Sequence, residues 1–202
     1  MTEQVILKDN FSGSCINPKL DWFNEPVHWE LADNKLVLFT DAKTDFWART
    51  HYGFINDNGH CLWTPIADNF EMTTTVKFYP AHQYDQCGLI IRLSPDCWLK
   101  TSVEYEPEGP AMLGSVVTNF GYSDWATQEA PAGMNELTLK IQRIGADFTI
   151  YFLAADGHWA QMRVAHLHEA AAGEPVFAGL YACSPIEAGY RAEFEHLTFT
   201  AI

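Results

Sequence analysis

Apolar and polar positions along this chain alternate over short runs, and Gly, Pro, Asn or Asp cuts each run at close intervals. That period-2 pattern is the signature of half-buried strands, and the long 3.6-residue periodicity of amphipathic helices is nearly absent. The pattern predicts strands at KLVLFT (35–40), WARTHYG (47–53), FEMTTTVKFY (70–79), CGLIIRLS (87–94), WLKTSVEYE (98–106) and LGSVVTNF (113–120). It predicts five more at NELTLKIQRI (135–144), DFTIYFLAA (147–155), WAQMRVAHL (159–167), PVFAGLYAC (175–183) and YRAEFEHLTFT (190–200). Turn signals such as SPDC, PEGPA, IGAD, ADGH and SPIEAG separate them, since Gly, Pro and Asp supply the backbone conformations that tight turns need. The one weak helical candidate, HLHEAAAG (166–173), is too short to build a layer. Many short strands with no repeat period and no linker point to one all-β domain over residues 1–202, an antiparallel two-sheet sandwich of jelly-roll type.

Alternation also assigns faces. In WLKTSVEYE, Leu99, Val103 and Tyr105 share one face, whereas Trp98, Lys100, Ser102 and Glu104 share the other. In GLIIRLS, Leu89, Ile91 and Leu93 oppose Ile90 and Arg92. Joining the apolar faces places Arg92, Trp98, Lys100 and Glu104 on one common surface. That surface suits a polar, neutral or weakly acidic ligand, and it equally suits an exposed sheet face laced with cross-strand ion pairs.

The segment TDFWARTHYGFINDNGHCLWTP (44–65) concentrates further chemistry. Read as a strand, WARTHYG turns Trp47, Arg49 and His51 to one side and Ala48, Thr50 and Tyr52 to the other, with Asn58-Gly59 closing a hairpin. Trp47, Arg49 and His51 are then the ligand-facing set, and Tyr52 points away. Seven Trp, eight Tyr and thirteen Phe bring aromatic residues to 14% of the chain. Aromatic rings fit strand packing and also offer flat faces for ligand stacking.

The formal charge of −14 disfavours nucleic acid and anionic membrane surfaces as partners, because such a field repels phosphates. Five scattered cysteines without a CxxC pair suit reduced thiols in a cytoplasmic protein. The start, MTEQVILKDN, has neither the basic nor the apolar region of a signal peptide, and no apolar run reaches membrane-spanning length.

Catalytic and cofactor motifs are sparse. His166 and His168 share strand parity, and His51 and His60 flank a turn. Neither pair brings the further ligands that a metal needs, so no metal or cofactor is expected. The ExDxxE or ExDxE strand that carries the catalytic glutamates of jelly-roll glucanases does not occur. Glu104 and Glu106 share parity, but Pro107 ends that strand, and Glu193 with Glu195 fits a polar outer face. The GxSxG elbow and the phosphate-cradling glycine loops are also missing. What remains is a set of aromatic and hydrogen-bonding residues of the kind that sugar recognition requires.

TDFWARTHYGFINDNGH, YDQCGLIIRLSPDCWLKTSVEYE (84–106) and SVVTNFGYSDWA (115–126), in this order, resemble the DUF1349 family of YesU-like and yeast "regulation of enolase" proteins. The resemblance runs from about Phe11 to Phe199. It implies a concanavalin A-like lectin/glucanase sandwich with a ligand groove on its concave sheet, and it implies no defined catalytic mechanism. It would place Trp47, His51, Tyr52, Arg92, Lys100, Glu104, Asp124 and Trp125 at that groove, with Trp47 and Trp125 stacking on the ligand; strand parity adds Arg49 and Trp98 to this set and turns Tyr52 away from it. The expected function is binding of a carbohydrate or small polar sugar derivative. An enzyme acting on a sugar through His51, Lys100 and Glu104 is the alternative, as isomerase, lyase or hydrolase. A regulatory protein-binding module of carbohydrate metabolism ranks third, and a homodimer stays open.

Overall fold

A computed structural model describes residues 4–171 and 174–202. Met1–Glu3 and Ala172–Gly173 lie outside the described residues, and with them the start of MTEQVILKDN and the last two positions of HLHEAAAG. The first strands are β1 (Gln4–Asp9), β2 (Asp21–Phe23), β3 (His28–Ala32), β4 (Lys35–Phe39), β5 (Phe46–Ala48) and β6 (Ile55–Asp57). They are followed by β7 (His60–Ile66), β8 (Phe70–Tyr79), β9 (Gln86–Ser94), β10 (Cys97–Glu104), β11 (Met112–Asn119) and β12 (Tyr122–Glu129). The last are β13 (Glu136–Ile144), β14 (Asp147–Leu153), β15 (Trp159–His166), β16 (Val176–Cys183), β17 (Arg191–Phe194) and β18 (Leu197–Ala201). No helix occurs among the described residues, and the described part of HLHEAAAG is the end of β15 followed by a turn.

All strand pairs are antiparallel and build two large sheets. The nine-stranded sheet runs β15-β14-β13-β8-β17-β4-β3, with β18 pairing β8 and β1. The seven-stranded sheet runs β12-β11-β10-β9-β16-β7-β2. A two-stranded ribbon, β5-β6, stands apart from both. YRAEFEHLTFT is two strands rather than one: both pair with the same flank of β8, opposite β13, but the register slips by one residue between Phe194 and Leu197 and so separates β17 from β18.

The interlayer core follows the alternation. Phe70, Met72, Val76 and Phe78 of β8 face it, as do Leu137, Leu139 and Ile141 of β13. From the other sheet come Leu89 and Ile91 of β9, Leu99 and Val103 of β10, and Leu113 and Val117 of β11. Each such side chain contributes about 1.5–3 kcal/mol by leaving water. Tyr105 departs from the expectation, since β10 ends at Glu104 and Tyr105 sits half-buried in the following loop, outside this core. Arg143, fully buried, donates to the carbonyls of Ile66, Ala67, Gly145, Ala171 and Glu174, tying two loops to the end of β13.

The seven-stranded sheet is buried on its other face as well. Cys61, Trp63, Ile90, Trp98, Val116, Tyr181 and Cys183 project away from the interlayer core and pack under Phe46 and Trp47 of the ribbon. A single sheet face expected to meet solvent is therefore roofed in part by β5-β6. Hydrogen bonds fix the segment leading to the ribbon. Thr44 N donates to Ser184 O at 3.1 Å, Ser184 N donates to Thr44 Oγ1 at 2.9 Å, and Ser184 Oγ donates to the buried Asp85 at 2.6 Å.

WARTHYG is the largest departure from the sequence reading. Only Phe46–Ala48 is strand, and residues 49–53 form a tight turn. Gly53 N donates to Arg49 O at 2.7 Å, and Arg49 N donates to Phe54 O at 2.8 Å. Arg49 and His51 adopt φ of 55° and 62°, left-handed values that break period-2 parity after Ala48.

Candidate functional site

Where the ribbon stops short of covering the seven-stranded sheet, an open cleft of about 460 Å³ remains. Its floor belongs to β9 and β10, its walls to the ribbon and its turn, to β11 and β12, and to the loops carrying Tyr84 and Pro185-Ile186. On the floor, Lys100 is almost fully buried and points its ammonium at Asp45 Oδ1 (3.2 Å) and Gln86 Oε1 (2.8 Å). Gln86 Nε2 donates onward to Glu104 Oε2 at 3.0 Å and to Tyr84 O at 3.1 Å, while Tyr181 OH donates to Gln86 Oε1 at 3.2 Å. The register explains the assembly: Glu104 lies opposite Gln86, and Lys100 opposite Ile90, so all the outer-face side chains converge along one line.

Electrostatics separate the two β10 groups. Burial pulls the Lys100 pKa down, but the charges of Asp45 and Glu104 and the hydrogen bond to Asp45 outweigh it and hold the ammonium more firmly protonated than usual. Lys100 is thus a fixed cation rather than a base or an amine nucleophile. Glu104 retains some exposed surface, yet burial of its carboxyl is the largest influence and pushes its pKa up to about 7. Asp45 and Glu106 add to that rise, and Lys100 opposes it.

The walls are aromatic. Trp125 and Tyr52 are substantially exposed, Phe54 stacks on Tyr52 at 5.7 Å, and Tyr84 closes the far side. Trp47 lies edge-on to Tyr52 (5.5 Å) and to Trp125 (6.5 Å), with its indole N–H donated to Thr50 O at 3.0 Å. Tyr84 holds φ of 68°, a backbone conformation rare for a bulky residue and often found where a site imposes it.

Of the nine residues that the sequence reading selects, the cleft gathers Trp47, Lys100, Glu104 and Trp125. The others are placed elsewhere. Arg49 turns away to donate to Gly121 O at 2.7 Å and to pair with Asp96 at 3.3 Å. His51 sits exposed in the turn, edge-on to Tyr52. Arg92 shares the outer face but is held bidentately by Asp57 of the ribbon (3.1 and 2.6 Å) and lies over Phe23. Trp98 is fully buried beneath Phe46. Asp124 alternates away from Trp125 and pairs with Arg163 at 3.1 Å.

Conversely, Tyr52 lines the cleft because the turn cancels its strand parity. Asp45, Phe54, Asn56, Tyr84 and Gln86 also belong to it. Gln86 carried a usable signal, since extending the alternation Ile90-Gly88 one step beyond Cys87 reaches it. The histidine pairs hold no joint position. His60 is buried, its Nδ1 bonded to Asn24 O at 2.6 Å and its Nε2 accepting from Asp41 N at 3.0 Å. His166 and His168 bond separately to Asp147 and Asn119.

The family model described as "Protein of unknown function (DUF1349)" matches residues 22–202. The chain belongs to the DUF1349 family. A yeast relative, "Regulation of enolase protein 1" of Saccharomyces cerevisiae, is 32% identical over 180 residues, covering 89% of this chain and 88% of its own. A crystal structure of a functionally unknown Saccharomyces cerevisiae protein superposes with a TM-score of 0.83 at 31% identity, over 91% of this DUF1349 chain and 97% of its own. The Bacteroides ovatus xyloglucan PUL GH43B structure matches with a TM-score of 0.77 at 21% identity, over 100% of this chain but 40% of its own. That last likeness concerns the fold alone. No helix among the described residues is long and apolar enough to cross a membrane.

Proposed function

We propose that this DUF1349 protein binds a carbohydrate or small sugar derivative in the cleft between the β5-β6 ribbon and the seven-stranded sheet. One observation carries the reading: a line of alternating donors and acceptors, buried at Asp45, Lys100 and Gln86 and partly exposed at Glu104, runs beneath the exposed rings of Tyr52, Tyr84 and Trp125. Sugars pair apolar C–H faces with outward hydroxyls, so they need rings on one side and mixed hydrogen-bonding groups on the other. A small ligand in the cytoplasm, rather than nucleic acid or a membrane, fits the charge of −14 and the five free cysteines. The name of the yeast relative, regulation of enolase, supports a regulatory use of that binding.

Titration calorimetry with neutral mono- and disaccharides tests the reading. Trp125 is exposed at the cleft wall, so Trp125→Ala is expected to weaken binding about tenfold or more while leaving the melting temperature nearly unchanged. Binding that ignores both Trp125→Ala and Tyr52→Ala would remove the cleft from consideration.

A catalytic reading has one supporting observation, the carboxyl of Glu104 poised near neutrality, which is where a general acid–base works best. It would have to proceed without His51, which lies in the turn, and without Lys100 as a base. Product formation from a bound sugar, lost in Glu104→Gln with binding retained, would establish it.

A further inference from the structure

The charges around the cleft narrow the ligand class. Among the described residues lining it, Lys100 is the sole cation, and it faces two carboxyl groups, those of Asp45 and Glu104. Its charge is already matched by Asp45 at 3.2 Å, and Gln86 hands the same line on to Glu104. The two arginines nearest in sequence pattern are spent elsewhere, Arg49 on Asp96 and Gly121 O, Arg92 on both oxygens of Asp57. The described residues contain no helix, so no helix N-terminus points donors at an anion either. Phosphate and carboxylate ligands are usually met by a free guanidinium or by several convergent N–H groups, and the described residues lining this cleft include no arginine.

The free hydrogen-bonding capacity is of another sort. Lys100 uses its ammonium on Asp45 and Gln86, leaving one of three N–H donors. Asp45 takes its contacts through Oδ1, and Glu104 takes its bond through Oε2. Among the described residues, Asp45 Oδ2 and Glu104 Oε1 therefore have acceptor capacity to spare. Two acceptors flanking one donor match neighbouring hydroxyl groups, each of which both donates and accepts.

Building on the carbohydrate reading, we propose that the cleft selects uncharged polyols and rejects phosphorylated or carboxylated sugars. An added anion would sit beside Asp45 and Glu104 with no unmatched cation to receive it, and like charges brought together in a partly dry site are costly.

The test measures affinities at pH 8 for glucose against its two anionic derivatives, glucose 6-phosphate and glucuronate, with xylose and cellobiose as further neutral probes. Neutral members are expected to bind about tenfold or more tightly than their anionic counterparts, a gap of about 1.4 kcal/mol. Glu104→Gln removes one carboxylate, and the gap should shrink. Asp45→Asn should shrink it further, and if that variant fails to fold, Glu104→Gln carries the comparison alone. Anionic sugars binding as tightly as neutral ones would overturn the selectivity while leaving the carbohydrate reading intact. So would a gap that stays unchanged in Glu104→Gln. No binding by any probe, charged or neutral, would overturn the carbohydrate reading and the selectivity with it.

Discussion

Glu104 is the residue whose environment most alters its chemistry. A free glutamate releases its proton near 4.5, whereas in the fold this one holds it to about 7. Between those values the folded chain binds more protons than the unfolded chain, so this group lowers stability as pH rises through the window. Above pH 7 the cost levels off at a magnitude on the order of 3 kcal/mol. Glu104→Gln keeps an acceptor for Gln86 and removes the charge, so it should melt several degrees higher than the parent at pH 8 and at nearly the same temperature at pH 4.5, given about 2–4 °C per kcal/mol. Equal melting temperatures at pH 8 would show that the carboxyl bears no burial cost. His60 acts in the opposite sense: burial depresses its pKa below 6.5, so its contribution is complete above that value and fades as pH falls. The difference between variant and parent isolates Glu104 from that background. Alternation alone put Lys100 and Glu104 on one face, and register did the rest. Asp45 was not legible in the same way. Its place follows from a condition that spacing does not express, namely that a cation buried as deeply as Lys100 needs a counter-charge.

At the scale of elements, the paired strands were readable and the ribbon was not. β9 and β10 show clean alternation, and their side chains separate into the interlayer core and the outer cluster as expected. Trp98 shows the limit of parity, which gives the correct face but says nothing of what covers it. Here the cover is β5-β6, whose return turn uses Arg49 and His51 in left-handed conformations normally left to glycine or asparagine. Only Gly53 among the three positive-φ positions advertises a turn. The ribbon's seat depends on a glycine for a different reason. A Cβ on Gly59 would lie 2.4 Å from the ring of Phe46, which is itself fully buried against Trp98 and Tyr181. Gly59→Ala is therefore expected to lift Phe46 from the sheet, at about 1–3 kcal/mol in stability, and to deform the wall that Trp47 supplies. Thermal melts together with tryptophan fluorescence check this. An unchanged melt and an unchanged spectrum would mean that the ribbon is not held by Phe46.

For the molecule as a whole, the sandwich was legible because a sheet face and its register repeat over many strands, so single errors at β17-β18 or the ribbon do not alter the architecture. The charge distribution has a consequence at this same scale. Twenty-six acidic residues stand against twelve basic ones, giving −14. Several of the ion pairs are exposed, including Arg49–Asp96 and Lys77–Glu136, and such pairs contribute about 0–1 kcal/mol each. The uncompensated carboxylates repel one another across the surface, and that repulsion is strongest in the folded state, where the charges are closest. Salt shortens the screening length from about 30 Å at 0.01 M to about 8 Å at 0.15 M, which weakens long-range repulsion more than contacts such as the buried Lys100–Asp45 pair. The melting temperature at pH 8 is therefore expected to rise by a few degrees between those two sodium chloride concentrations. A fall would mean that the exposed ion pairs contribute more than the excess of negative charge costs. The same titration on Glu104→Gln should give a parallel curve displaced upward, since that carboxyl is penalised by burial rather than by the distant field.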